Sequence, residues 1–188
     1  MPRPRGFDEN EVLSCAMRMF WRRGYEGTTT RAIEAETGVG IRSLANTFGE
    51  KDELFVRVLR MYREMAQGIL DQVFATPGRD AIIALFAGMG AETEDADDVR
   101  NAGCLMVNTT FELTRTSPAI REEVKGYRAM FRDRFREALE ADGIADADTR
   151  AEFLVGALWG ALSQIRLAGT TAAARPMTEV VVASVRGW

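Results

Sequence analysis

Arg42, Ser43, Asn46 and Thr47 fall on one side of a short helical stretch, and all four side chains can hydrogen-bond to nucleic acid. Arginine suits a guanine edge, asparagine an adenine edge and a hydroxyl either one, and all of them reach phosphate oxygens. Ile41, Leu44 and Phe48, at i, i+3 and i+7, give the same stretch an apolar side to pack inward. At 1.5 Å per residue such a helix is only about 10 Å long, enough for a few base pairs. Specific reading by so short an element calls for two copies. Thr37-Gly38-Val39-Gly40 reverses the chain ahead of it, which makes a helix-turn-helix with the preceding short helix. Arg3 and Arg5, flanked by Pro2 and Pro4, form a basic arm that either follows a minor groove or is an unstructured terminus.

Other chemistries lack their residues. There is no histidine, which removes His-based triads, His-ligated zinc and an imidazole switch. Two cysteines, Cys15 and Cys104, make neither a disulfide framework nor a CxxC metal site. Gly38-Val39-Gly40 lacks the third glycine and the Lys-Ser/Thr of a phosphate loop. No enzyme activity, cofactor or metal is therefore expected. With 46% apolar and 28% charged residues the chain reads as globular. No apolar run approaches the roughly 18 residues of a membrane span, and Met1 to Gly6 lead into no signal-peptide core. The expectation is a cytoplasmic protein with no membrane partner. The net charge of −4 is unevenly shared: residues 1–51 carry eight Lys/Arg against seven Asp/Glu, the remainder sixteen against twenty-one. An acidic body with a locally basic head fits a protein that touches DNA with one end.

The positioning elements read as helices throughout, with breakers between periodic runs. The pattern predicts a first helix from about Asp8 to Arg23, a second capped by Thr28 or Thr29 and ended by Gly38, and a third from Gly40 to Phe48-Gly49. A long fourth follows from Lys51 to about Phe74. Further helices are expected at Arg79–Met89, Ala102–Arg115, Pro118–Ala141, Ala147–Leu167 and Pro176–Gly187, with acidic Glu92 to Asp98 a solvated loop. The fold class is all-α, divided into a head over residues 1–50 and a body over residues 51–188.

The head carries a spaced pattern. Phe20-Trp-Arg-Arg-Gly-Tyr-Glu-Gly-Thr-Thr-Thr-Arg-Ala-Ile, then Thr37-Gly-Val, Ser43-Leu and Phe48-Gly-Glu-Lys-Asp-Glu-Leu-Phe55 resemble the DNA-binding head of TetR-family repressors. The resemblance covers about the first 55 residues. It implies an Ω-shaped homodimer, a palindromic double-stranded operator and a ligand-binding body whose last two helices form a dimeric four-helix bundle. It further implies that Thr28, Thr29, Arg31 and Lys51 approach phosphates, while Arg42, Ser43, Asn46 and Thr47 enter the major groove. Glu34, Gly40 and Ala45 depart from the pattern, which usually has alanine, a small hydroxyl residue and tyrosine there.

In the body, the stretch Ala147–Leu167 is apolar nearly all round, so it is expected to be buried on two sides. Phe153, Gly156, Ala157, Gly160 and Ala161, with Met177, Val181 and Val185 of the last helix, are the expected dimer surface. Met61, Met65, Phe86, Met89, Phe131 and Trp159, with Phe111, Cys104, Asn108 and Glu112, could line an adaptable apolar pocket for a small-molecule effector. The same methionine and aromatic pattern also suits plain core, and Asn108 a structural hydrogen bond. Two alternatives stay open: a redox-sensing repressor using the Cys104 thiol, and a helical binding protein or enzyme that has lost DNA binding.

Overall fold

The computed structural model describes residues 6–91, 95, 97–112 and 117–188. Among these residues the regular structure is nine α-helices and two 3-10 turns, with no strand. The head is α1 (Glu9–Arg23), α2 (Thr30–Thr37) and α3 (Ile41–Phe48). Local chemistry sets each end. The Asp8 carboxylate accepts from Asn10 N–H at 2.7 Å to start α1, and Arg22 and Arg23 close it in favour of the helix dipole. Thr29 caps α2, its hydroxyl accepting from Ala32 N–H at 3.1 Å. Gly38 ends α2 at φ +70°, a left-handed conformation that costs an L side chain about 1 kcal/mol or more. Phe20, Ile33, Leu44, Phe48 and Phe55 are completely or almost completely buried, and Phe20 and Phe55 pack with ring centroids 4.5 Å apart.

Phe55 belongs to α4 (Lys51–Val73), whose 23 residues span about 34 Å and run from the head into the body. The Glu53 carboxylate accepts from Glu50 N–H at 2.9 Å at its start. The body adds α5 (Arg79–Met89), α6 (Leu105–Thr110), α7 (Pro118–Ala141), α8 (Ala147–Ala168) and α9 (Arg175–Arg186). Helix α7 lies between α4 and α8, and α5 packs along α9. Glu123 of α7, 7% exposed, accepts from Arg60 Nε at 2.7 Å and pairs with Arg63 Nη1 at 2.9 Å, tying α7 to α4.

The helix expected at Ala102–Arg115 is corrected. A 3-10 turn over Val99–Ala102 is followed by a break at Gly103 and then by the short α6. Gly103 has φ +77°, and a Cβ there would lie 2.8 Å from the Leu162 carbonyl of α8. A φ of +77° takes Gly103 out of the helical region, so no helix runs through it, and the apolar periodicity of Leu105 to Val107 hides the break. Arg115 and part of the acidic loop lie outside the described residues, as do Arg3 and Arg5.

Candidate nucleic-acid interface and ligand cavity

The recognition surface follows from α3. Its apolar side, Leu44 and Phe48, is buried against the head core, which leaves Arg42, Ser43, Ala45 and Asn46 exposed and Thr47 half-buried. Thr29 and Arg31 at the start of α2 are exposed as well. Lys51 opens α4 with its Nζ 4.0 Å from the centroid of the Tyr25 ring, a cation–π contact that holds the ammonium beside the head. Tyr25 in turn donates to Asp52, and burial, with that carboxylate next, pushes its phenol well above its ordinary value. Thr28 is a correction. It is completely buried and its hydroxyl donates to the Gly24 carbonyl at 2.8 Å, so it holds the α1–α2 turn and has no side-chain surface for phosphate.

Two of the departures from the family pattern explain each other. Gly40 offers α3 no side-chain cap, but the Glu34 carboxylate of α2 accepts from Ile41 N–H at 3.0 Å. The anion sits at the positive end of the helix dipole, where it is stabilised. A residue seven positions earlier in sequence thus caps the recognition helix.

Head and body meet around the end of α1. Trp21 Nε1 donates to the Gly103 carbonyl at 3.0 Å, and its ring stands edge-on to Tyr62 with centroids 4.9 Å apart. Arg22 donates to the Asp97 carbonyl, and Arg166 of α8 donates to the Arg22 carbonyl at 3.1 Å. Glu112 accepts from Glu26 N–H at 3.0 Å. A Cβ on Gly24 would lie 2.5 Å from its carboxylate.

Beside this junction lies a cavity of about 700 Å³, within the range of small-molecule sites. Helix α1 supplies Ser14, Met17, Arg18 and Trp21, and the body supplies Tyr62, Met65, Met89, Gly103, Tyr127 and Phe131 among others. Of the expected pocket residues only Met65, Met89 and Phe131 line it. Phe86 is completely buried in core, whereas Phe111 is 76% exposed. Asn108 Nδ2 donates to the Ala102 carbonyl at 2.9 Å, the structural role the sequence also allowed, and Glu112 serves the α1–α2 turn. Met61 lies beside Ser14, and Trp159 is half-buried; neither lines the cavity. Cys104, 1% exposed, sits behind the wall, where Tyr62 Oη donates to its Sγ at 3.2 Å and the thiol lies 3.4 Å from Tyr127 Oη. Burial foremost holds both phenols well above their ordinary value.

The α1 lining was missed, although Ser14, Met17, Arg18 and Trp21 carry a helical signal at i, i+3, i+4 and i+7. It lies beside the stronger core stripe of the same helix and belongs to the DNA-binding head, which directs attention away from ligand binding.

The expected dimer surface is also redrawn. Ala161, Val181 and Val185 are buried within the chain itself, and Gly160 faces its own Met177, whose Sδ would lie 3.1 Å from an added Cβ. Phe153 is half exposed, Gly156 opens onto free space and Ala157 is half-buried. Leu167 and Val180, 81% and 63% exposed, extend the apolar surface of α8 and α9.

A helix-turn-helix whose second helix presents arginine, serine and asparagine to solvent, on an all-helical body, defines a DNA-binding regulator. Comparison with known proteins agrees. The family described as bacterial regulatory proteins, tetR family, matches residues 12–58, and the tetracyclin repressor-like C-terminal domain matches residues 78–181. The chain belongs to the TetR family and is a DNA-binding transcriptional regulator. It is 31% identical over 131 residues to the HTH-type transcriptional repressor ComR of Escherichia coli (strain K12), covering 68% of this chain and 61% of that protein. It is 28% identical over 142 residues to the uncharacterized HTH-type transcriptional regulator YezE of Bacillus subtilis (strain 168), covering 74% of this chain and 72% of that protein. A cysteine mutant of the TetR family transcriptional regulator CifR, solved with 26-bp double-strand operator DNA, is 26% identical and superposes with a TM-score of 0.77, covering 99% of this chain and 100% of that one. Among the described residues no helix is long and apolar enough to cross a membrane.

Proposed function

We propose that this protein is a homodimeric repressor that leaves its operator when a small, largely apolar molecule occupies the cavity beside α1. The observation that carries the reading is the composition of the cavity wall: four of its residues belong to the first helix of the head. Residues 1–50 form the DNA-binding unit and residues 51–188 the sensing and dimerising unit, and the ligand site straddles them. Arg42, Ser43, Asn46 and Thr47 read the major groove, while Thr29, Arg31 and Lys51 hold phosphates. Gly40 lets the chain pass close to the groove. Two copies pair through the exposed faces of α8 and α9 around Phe153, Gly156 and Val180, which sets two short recognition helices at one spacing and lets them bind together. A ligand pressing on Trp21 and Gly103 works against the 3.0 Å hydrogen bond that fixes the end of α1 to the body. The head's orientation changes with it, and affinity shifts by as much as the ligand prefers the unbound arrangement.

The Cys104 alternative is less well supported. A thiol 1% exposed and enclosed by two tyrosine hydroxyls offers no surface to a dissolved oxidant. The experiment is to select genomic fragments bound by the protein, then measure release by candidate apolar compounds in fluorescence anisotropy. Release by ligand that persists in Cys104→Ser supports the reading. Release only by peroxide, reversed by dithiothreitol and absent in Cys104→Ser, replaces it with the redox mechanism.

A further inference from the structure

Three charged side chains line the cavity among the described residues: Arg18, Asp98 and Arg100. Two of them satisfy each other, since Arg100 Nε and Nη2 donate to Asp98 Oδ2 at 2.8 and 2.6 Å. The Arg18 guanidinium makes no ion pair or hydrogen bond among the described residues. Its position is set by α1: Ser14, Met17, Arg18 and Trp21 form one stripe of that helix, and all four line the cavity. Met65 and Ile69, 43% and 51% exposed, line it from α4. The opening therefore has an apolar lip and, at its exposed rim, one guanidinium without an ion-pair partner among the described residues, above walls that are mostly hydrocarbon and aromatic.

Such a site discriminates by charge. A neutral apolar molecule leaves the guanidinium solvated as before, and a cation meets like charge. A carboxylate accepts paired, charge-assisted hydrogen bonds from the arginine fork while its apolar part is buried. We propose that the effector is an amphipathic monoanion, an apolar carboxylate, with its apolar part among Met17, Trp21, Tyr62, Met89 and Phe131 and its carboxylate held by Arg18. The inference rests on the ligand-gated reading above and adds to it the ligand's chemical class. It also places the anion's partner on α1, so the ligand's charge is held by the DNA-binding head itself.

The test titrates the full-length protein calorimetrically with decanoate, decanamide, 2-naphthoate and 2-naphthamide. Each carboxylate should bind roughly tenfold tighter than its amide, a factor worth about 1.4 kcal/mol. Arg18→Gln should abolish that preference by weakening the carboxylates and leaving the amides unchanged. Gly88→Phe should weaken all four, because a Cβ on Gly88 meets nothing within 4 Å and the ring can fill the cavity from α5. Equal binding of acid and amide, or a preference that survives Arg18→Gln, overturns the anion proposal and leaves the apolar cavity standing. Failure of all four compounds to bind also overturns it. Binding that Gly88→Phe leaves untouched puts the ligand elsewhere and overturns both readings.

Discussion

Replacing Glu34 by alanine removes the one side chain that caps the recognition helix. Ile41 N–H is among the orphan donors at the start of α3, and its acceptor is the Glu34 carboxylate at 3.0 Å, since Gly40 has no side chain to offer. Loss of a cap costs about 1 kcal/mol, and loss of an anion at the helix N-terminus about 0.3–1 kcal/mol more. Glu34→Ala should therefore destabilise the protein by about 1–2 kcal/mol, or roughly 2–8 °C in a chain of this size. Gly40→Ser supplies the family's usual cap, and the backbone at Gly40, φ −57° and ψ 145°, accepts a serine without strain. Serine also reduces unfolded-chain entropy in either background, so the informative quantity is the coupling between the two substitutions. Gly40→Ser should restore about 1 kcal/mol more in the Glu34→Ala protein than in the wild type. Urea unfolding followed by circular dichroism at one fixed protein concentration measures all four corners of the cycle. Zero coupling, or a Glu34→Ala protein as stable as wild type, would refute the shared-cap account.

The recognition surface is tested at two residues: Arg42→Ala should cost about 1–3 kcal/mol of operator affinity and relax base preference. Lys51→Ala should instead weaken binding evenly across sequences and flatten its salt dependence, with anisotropy at several salt concentrations separating the two. Gly156→Glu, placed where a Cβ meets open space, should leave a folded chain that sediments as monomer and binds operator more weakly. If it remains a dimer, the α8–α9 surface is assigned wrongly. Alkaline stability tests the buried phenols, because Tyr62 and Tyr127 titrate well above the ordinary value of 10.0 in the folded chain. Their stabilisation is complete below pH 10 and is lost as pH rises beyond it, at about 1.4 kcal/mol per pH unit for each tyrosine. A urea midpoint series from pH 8 to 11 should become shallower in Tyr62→Phe/Tyr127→Phe, with Tyr25 supplying the slope that remains, and an unchanged slope would show that other groups set it.

The amino-acid sequence by itself determined the ends of α1 and α2, the helix-turn-helix and the polar side of α3. These depend on interactions within a few residues: caps at Asp8 and Thr29, the left-handed glycine at Gly38, and the i, i+3, i+7 stripe of Ile41, Leu44 and Phe48. The family resemblance was legible for the same reason, since its pattern is local and lies in one head. Only the tertiary structure decided which apolar faces meet. Phe86 and Phe111 look alike in sequence, yet one is completely buried and the other is 76% exposed. Val181 and Val185 looked free for a second copy until the chain's own helices covered them. The break at Gly103 falls where a Cβ would meet the Leu162 carbonyl, 59 positions away. The cap on α3 comes from another helix, and the cavity draws a wall from the head. Hydrophobic burial is non-directional, so periodicity shows that a side chain seeks cover and leaves its partner to the packing of the whole chain.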